Sequence, residues 1–128
     1  MREDLTPGPG GLLAEVAQCN ARLRHIGEEL KRLQPKTAGS ITLLFRQCGK
    51  ACHGCPHPAW RVWRKRYRGD HYLWLAHRID QPLKSLSKTG RFAENYPQVR
   101  AYVEEALRLQ KRRVELLKEL RRVQRLLA

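Results

Sequence analysis

The segment CGKACHGCPHP, residues 48–58, decides how this chain folds, because it places three cysteines and two histidines within a short span. Cys48, Cys52 and Cys55 offer three thiolates, separated by three and then two residues. Zinc is bound by four such soft or borderline ligands in a tetrahedron, and glycines between the ligands let the backbone turn around the ion. The spacing therefore predicts a metal site, with Zn²⁺ as the ion.

The fourth ligand of this site is predicted to be His57. One residue separates His57 from the last cysteine, so its imidazole can turn back towards the ion. His53 is adjacent to a cysteine ligand and would be strained in sharing the ion, whereas His71 and His77 reach it only through the fold. The alternative is three free cysteines with no ion. The predicted metal ligands are Cys48, Cys52, Cys55 and His57.

The chemistry around the cluster favours a structural role for the metal. A catalytic zinc keeps one position open and needs a general base nearby. No Asp or Glu lies between Cys48 and Arg68, and the nearest acid is Asp70. The chain also shows no paired carboxylates, no Ser-His-Asp arrangement and no phosphate-binding glycine loop. We therefore expect a closed site in a protein that is not an enzyme and has no small-molecule substrate.

The composition points to a polyanionic partner. The chain has 128 residues, with 26 Lys and Arg against 12 Asp and Glu, which gives a formal net charge of +14. Residues 37–97 carry a net charge of +8 and residues 98–128 a net charge of +5, whereas residues 1–36 are nearly neutral. A protein this basic attracts polyanions. Nucleic acid is the expected partner, with DNA favoured over RNA.

The ends and the hydropathy of the chain predict a cytoplasmic location. No stretch approaches the roughly 20 apolar residues that span a bilayer, so no membrane partner is expected. The first residues, MRED, mix charges and lead into Pro and Gly, which does not fit a secretory signal. Cysteines in the cytoplasm stay reduced and are available to a metal. We expect residues 1–11 to be a flexible leader and residues 12–128 to form a single domain.

Two long helices are predicted, over residues 12–34 and 97–127. In the first, apolar residues recur at alternating intervals of three and four up to Leu33, which makes one apolar seam. Cys19 lies on this seam and is interpreted as a packing residue. The second helix keeps the same alternation, and only Arg113 interrupts it. Additional apolar residues widen its stripe, so it should contact the first helix and also the hairpin or a second subunit.

Residues 40–79 are predicted to hold the metal knuckle and the strands. A strand is expected over residues 41–47, and two aromatic, basic runs at residues 60–67 and 71–77 flank Arg68-Gly69-Asp70, which is typical of a β-hairpin. Residues 80–96 carry turn signals and form a connector in which a short helix fits. The predicted fold is α+β: a small antiparallel sheet with a zinc knuckle, flanked by two long helices packed as an antiparallel, coiled-coil-like pair.

The hairpin is the candidate nucleic-acid-binding element. Six basic residues and one acid lie between Trp60 and Arg78, more positive charge than solubility requires. Arginine binds phosphate through two hydrogen bonds, and flat rings stack on bases. One face of the hairpin must pack on the core, so about half of its aromatic residues are expected to be packing residues. The candidate contacts are Arg61, Trp63, Arg64, Lys65, Arg66, Tyr67, Arg68 and Arg78.

The order of these parts resembles an uncharacterised family of small prokaryotic proteins that is frequent on phages and other mobile elements. Its members have an N-terminal helix, a Gly-Ser strand entering a Cys-Gly-Lys cluster, a His-Gly-Pro-Tyr-like step, an aromatic Arg-rich hairpin and a charged helix. This chain matches at residues 39–41 (GSI), 48–50 (CGK) and 57–60 (HPAW), with a different cysteine spacing and without the Gly-Pro step. The resemblance covers about residues 12–125 and implies a zinc-ribbon-like knuckle and a mobile-element setting, but no activity.

Two functional hypotheses follow. The first is a zinc-stabilised accessory or regulatory protein of a mobile genetic element that binds nucleic acid, with DNA favoured. The second is an interaction module without nucleic-acid binding, in which the wide apolar face of the last helix forms a homodimer or binds a partner protein.

Overall fold

A computed structural model of the chain describes residues 9–35, 37–49, 52, 54–89 and 94–127. It combines helices with one three-stranded antiparallel sheet, which is the predicted α+β class. The elements in chain order are α1 (Pro9–Leu33), β1 (Ile41–Arg46), β2 (His57–Arg68), β3 (His71–Arg78), α2 (Pro82–Thr89) and α3 (Tyr96–Leu127). None of the described helices is long and apolar enough to cross a membrane.

Helix α1 begins three residues earlier than the sequence predicted. It starts at Pro9 and includes Gly10 and Gly11, two residues of the predicted leader. Proline suits a first helical turn because it lacks an N–H group, and an N–H group in that turn would have no partner within the helix. Leu12 is only 2% exposed, and its burial against α3 fixes the turn that contains it. The predicted flexibility of residues 1–8 concerns residues outside the described part of the chain.

Helices α1 and α3 pack as an antiparallel pair. Ion pairs join Arg22 to Glu105 at 2.6 Å and Glu15 to Arg112 at 3.3 Å, so a step forward along one helix is a step backward along the other. Every residue of the predicted α1 seam is buried, Cys19 included, and burial raises the pKa of its thiol. At the far end of the pair the helices form a core of their own: Leu12, Val16, Cys19, Leu116 and Leu120.

The sheet has the order β1-β2-β3 and packs one face on the helices. Strand β1 pairs with β2 from Arg46 opposite His57 to Ile41 opposite Val62. Beyond Val62, β2 and β3 continue as a two-stranded ribbon, which we define as residues 64–68 and 71–75. Gly69, with φ of +57°, forms the turn at its tip. The sheet residues in the main core are Ile41, Leu43, Trp60 and Val62.

Two short features complete the core. The side-chain amide of Gln34 accepts a hydrogen bond from the Ile41 N–H at 2.9 Å and donates one to the Ile41 carbonyl at 2.8 Å, and thereby satisfies the outer edge of β1 at that residue. Within the predicted connector, α2 buries Leu86 completely against the sheet and α3. The connector therefore contributes to the core as well as linking the hairpin to α3.

Candidate metal centre and basic ribbon

The cysteine segment lies where β1 ends and β2 begins. Antiparallel pairing of Arg46 with His57 brings the two ends of the segment together. Gly49 has a φ of +76°, a left-handed conformation that side chains with a Cβ rarely adopt. The sheet thus closes the loop, and this glycine lets the backbone reverse inside it.

The four predicted ligands converge on one point. Their ligand atoms all lie within 4.8 Å of one another. The Sγ atoms of Cys48 and Cys55 are 3.0 Å apart, and Cys52 Sγ is 3.5 Å from His57 Nε2. A tetrahedral site with Zn–S bonds of about 2.3 Å places its ligand atoms about 3.8 Å apart, so the observed spacing suits such an ion. This cluster can bind a metal ion.

The other candidate ligands are placed elsewhere or are not described. His53 is outside the described residues. His71 is exposed at the tip of the ribbon, and His77 lies on β3 with a buried Nε2 atom that has no hydrogen-bond partner among the described residues. Neither histidine belongs to the cluster, in which His57 is the histidine among the described residues.

Arg113 of α3 connects the cluster to the helix pair. Its side chain is only 5% exposed, and its Nη2 atom donates to the carbonyl oxygens of Gly54 and Pro56. Its Nε atom donates to Asn20 Oδ1 on α1 at 2.9 Å. A buried arginine is costly unless its donors are satisfied, and here loop and helix acceptors satisfy them. One side chain therefore ties the knuckle to both long helices.

The charge of Arg113 also matches the cluster. Burial lowers the pKa of the guanidinium, and the nearby thiols of Cys52 and Cys55 oppose that effect. Three thiolates and a neutral imidazole around a divalent cation carry a net charge of −1, because zinc ligands bind in the deprotonated form. A buried guanidinium beside such a site compensates this charge.

Gly54 lies in close contact with α3 where the knuckle meets that helix. A Cβ atom at this position would lie 3.0 Å from Leu117 Cδ1 and 3.2 Å from Arg113 Nη2. Both distances are shorter than ordinary contacts, so a Cβ atom here would require Leu117 and Arg113 to shift by a few tenths of an ångström. The sequence indicates only backbone freedom at this glycine and does not predict its contact with α3.

The predicted nucleic-acid contacts fall into two groups. Arg61 and Trp63 are half-buried near the root of the hairpin, where Arg61 donates to the Ala76 carbonyl at 3.0 Å. The residues of the ribbon are exposed except Trp74, which is half-buried, and Arg78 is exposed at the end of β3. Among the aromatic residues, Trp60 is buried and donates to Gln110 Oε1, whereas Tyr67 is 69% exposed. The exposed candidates on the ribbon are Arg64, Lys65, Arg66, Tyr67 and Arg68.

Arginines on the helices and on the ribbon differ in their partners. Ion pairs with glutamate involve Arg22, Arg32, Arg100, Arg112 and Arg122, all on α1 or α3. Within the described chain, no ion pair involves an arginine of β2 or β3. The hairpin cations therefore project positive charge that no described carboxylate neutralises.

Comparison with known proteins gives no relative for this chain. No protein-family model matches it, and no curated protein or solved structure matches it significantly. Its function has to be inferred from the arrangement of its own residues.

Proposed function

We propose that this protein is a zinc-stabilised nucleic-acid-binding protein that contacts its partner, DNA in preference to RNA, through the basic ribbon. The observation that supports this most strongly is the exposed row of cations on the ribbon, none of them in an ion pair with a described carboxylate. Positive charge without internal partners attracts phosphates, and arginine binds a phosphate through two parallel hydrogen bonds. The predicted contacts are Arg61, Trp63, Arg64, Lys65, Arg66, Tyr67, Arg68 and Arg78.

Zinc is the metal that the ligand set favours. Three thiolates and an imidazole suit Zn²⁺, whereas Mg²⁺ and Ca²⁺ prefer oxygen ligands. The only acid of the hairpin, Asp70, lies at the ribbon tip, at the opposite end of β2 from His57. The proposed role of the ion is therefore structural: it joins the end of β1 to the start of β2 and fixes the root from which the ribbon extends.

The salt dependence of DNA binding tests this proposal. The logarithm of the affinity for a labelled DNA oligonucleotide should fall linearly with the logarithm of salt concentration, because each phosphate contact releases counterions. Reversal of two ribbon charges, Arg64→Glu with Arg66→Glu, should reduce that slope by about 2. The matched control is Lys118→Glu with Arg121→Glu, two exposed residues of α3, which makes the same change in net charge. Binding that is unaffected by salt, or an equal loss in both variants, would contradict the proposal.

The alternative is a helix-mediated interaction module, and one observation favours it. Leu126 and Leu127 at the end of α3 are more than 70% exposed, and Val114 is 47% exposed. A homodimer or an adaptor complex could cover these side chains. Sedimentation of the purified chain separates the two functions. A protein that dimerises and has no affinity for nucleic acid would support the alternative. In that case Leu126→Ser with Leu127→Ser should prevent the dimer.

The biological setting is proposed from the family resemblance. An accessory or regulatory role on a phage or another mobile genetic element fits a small basic DNA-binding protein. Footprinting on the DNA that flanks its gene would test this setting, and the absence of any preferred site there would argue against it.

A further inference from the structure

The outer face of the sheet, which the helices do not cover, has an unusual composition. Side chains alternate between the two faces of a strand, and Ile41, Leu43, Trp60 and Val62 point into the core. The residues between them point away from it. The outer face of β2 and β3 is formed by Arg61, Trp63, Lys65, Tyr67, Tyr72, Trp74, Ala76 and Arg78.

Packing within the fold does not explain these aromatic residues. A sheet with one solvated face usually has polar side chains on that face. Here Tyr67 and Tyr72 are 69% and 50% exposed, and Trp63 and Trp74 are half-buried. A contiguous exposed aromatic patch of this kind marks a binding surface more often than a packing requirement. No acidic residue lies on this face of the three described strands.

The rings form a connected row with a cation above it. Tyr67 and Tyr72 have ring centroids 6.1 Å apart, and those of Tyr72 and Trp74 are 6.3 Å apart. The Nζ atom of Lys65 lies 3.8 Å from the Tyr72 centroid and within 5.8 Å of the other two. A flexible ammonium over a ring face is held weakly and can move aside when another flat group stacks there.

We infer that the outer face is a stacking platform for an unpaired nucleic-acid strand. In a duplex the base faces are covered by their neighbours, and a ribbon that enters the major groove recognises base edges through hydrogen-bonding side chains. The outer face of the ribbon offers mainly rings and one lysine. Unpaired bases expose flat faces that aromatic side chains on a sheet bind, while cations beside the rings contact the phosphates.

The opposite face of the ribbon carries arginines, whose expected role in binding differs from that of the rings. Arg64, Arg66 and Arg68 alternate with the outer-face residues and lie opposite Leu75, Leu73 and His71. These arginines are exposed, and β1 does not extend alongside them, because its pairing with β2 stops at Val62. They supply long-range attraction to any nucleic acid, whereas the rings select strands whose bases are unpaired. The inference thus rests on the proposed function and names the form of nucleic acid that the ribbon binds.

The test compares labelled strands of about 20 nucleotides, as DNA, as RNA and as the DNA duplex, at one salt concentration. Single-stranded DNA should bind at least about tenfold more tightly than the duplex. An RNA strand should also bind, because the rings contact base faces, but less tightly than the DNA strand that the proposed function prefers. Tyr67→Leu with Tyr72→Leu should weaken strand binding at least fivefold and leave the salt slope unchanged, since each stacked base is worth about 1–3 kcal/mol.

The matched control is Tyr67→Phe with Tyr72→Phe, which keeps both rings and should keep the affinity. Thermal unfolding of all three proteins shows whether the leucine variant remains folded, and single Tyr67→Leu at the exposed tip replaces the double variant if it does not. A duplex that binds as tightly as the strand, or a leucine variant that binds like the phenylalanine variant, would overturn the inference alone. A protein that binds none of the three probes would overturn the proposed function as well.

Discussion

The helix pair and the ribbon both contain many arginines, but these arginines have different surroundings. On α1 and α3, five arginines form ion pairs across and along the helices, as Arg22 does with Glu105, and Arg113 is buried with satisfied donors. On the ribbon, Arg64, Arg66 and Arg68 are exposed and lie in no ion pair with a described carboxylate. The ion-paired and buried arginines of the helices therefore belong to the fold, and the ribbon arginines are available to a partner.

The cysteine cluster lies between these two regions. It closes the loop from β1 to β2 on one side and meets Arg113 of α3 on the other. Changes at the cluster should therefore affect the ribbon and its attachment more than the helix pair, which has a core of its own around Cys19 and Leu116.

Loss of the proposed zinc ion should have the largest effect. Chelation, or Cys52→Ser, should lower the free energy of unfolding by several kcal/mol, because binding energy at a closed zinc site is folding energy. Hydrogen exchange should show that β1 and the root of β2 lose protection while α1 and α3 keep most of theirs. The control is Cys19→Ala, a cysteine in the helix seam, which should retain a full equivalent of metal. Equal loss of protection in helices and strands would remove the distinction between the two regions.

Arg113→Leu should have the next largest effect. Leucine restores the apolar spacing of α3, but it leaves the carbonyls of Gly54 and Pro56 and the metal site without their buried cation. Residues that support metal ligands typically account for 10–100-fold in affinity, and we expect a loss in that range. Competition with a chromophoric zinc chelator measures it. Arg112→Leu, the exposed neighbour, is the control, and equal affinities in the two variants would argue against the role of Arg113.

Gly54→Ala should destabilise the protein by about 1–3 kcal/mol, the usual cost of overpacking. The added Cβ atom meets Leu117 and Arg113 at the contact between the knuckle and α3. Gly10→Ala is the matched control, because nothing lies within 4 Å of its Cβ position and alanine favours a helix. Urea unfolding measures both variants, and a neutral Gly54→Ala would show that the knuckle does not depend on this close contact.

Glu105→Gln should have the smallest effect, because it removes one exposed ion pair of the helices. The Arg22 guanidinium lowers the pKa of Glu105 through its hydrogen bonds, so the pair stabilises the fold above the ordinary pKa range of a carboxyl. That contribution is lost as pH falls through the lowered pKa. We expect a cost of about 0.2–1 kcal/mol near neutral pH that disappears in acid.

The effect of Glu105→Gln is measured as the difference in free energy of unfolding between the variant and the wild type at each pH. Acid also releases the metal, but that loss is common to both proteins and cancels in the difference. A cost that stays constant from neutral pH to about pH 3 would show that the ion pair is not its source.

The sequence predicted the helices and the grouping of the four candidate ligands well for a physical reason. Seam residues of α1 recur at fixed intervals, and helical geometry alone brings them to one side. The ligands are close in sequence, so a single loop brings Cys48, Cys52, Cys55 and His57 together. In both cases the interactions are local, and local spacing is what a sequence displays directly.

Long-range features were predicted less well. The interruption of the apolar stripe at Arg113 was visible, but its partners are backbone carbonyls 57 and 59 positions away, which no side-chain pattern indicates. The expected start of the hairpin strand at Trp60 was also late, because pairing with Arg46 extends β2 back to His57. The exposed outer face of the sheet could not be predicted, because the sequence does not show which face the helices cover.

A crossed pair of charge reversals tests the contrast between helices and ribbon most directly. Arg64→Glu with Arg66→Glu changes the ribbon, and Arg22→Glu with Arg100→Glu makes the same change in net charge on the helices. Both variants are measured for affinity to a single-stranded DNA and for the midpoint of thermal unfolding. We predict that the ribbon variant loses at least about tenfold in affinity with an unchanged midpoint, and that the helix variant unfolds at lower temperature with affinity kept within about threefold. Equal losses of affinity in the two variants, or a lower midpoint only in the ribbon variant, would contradict this account.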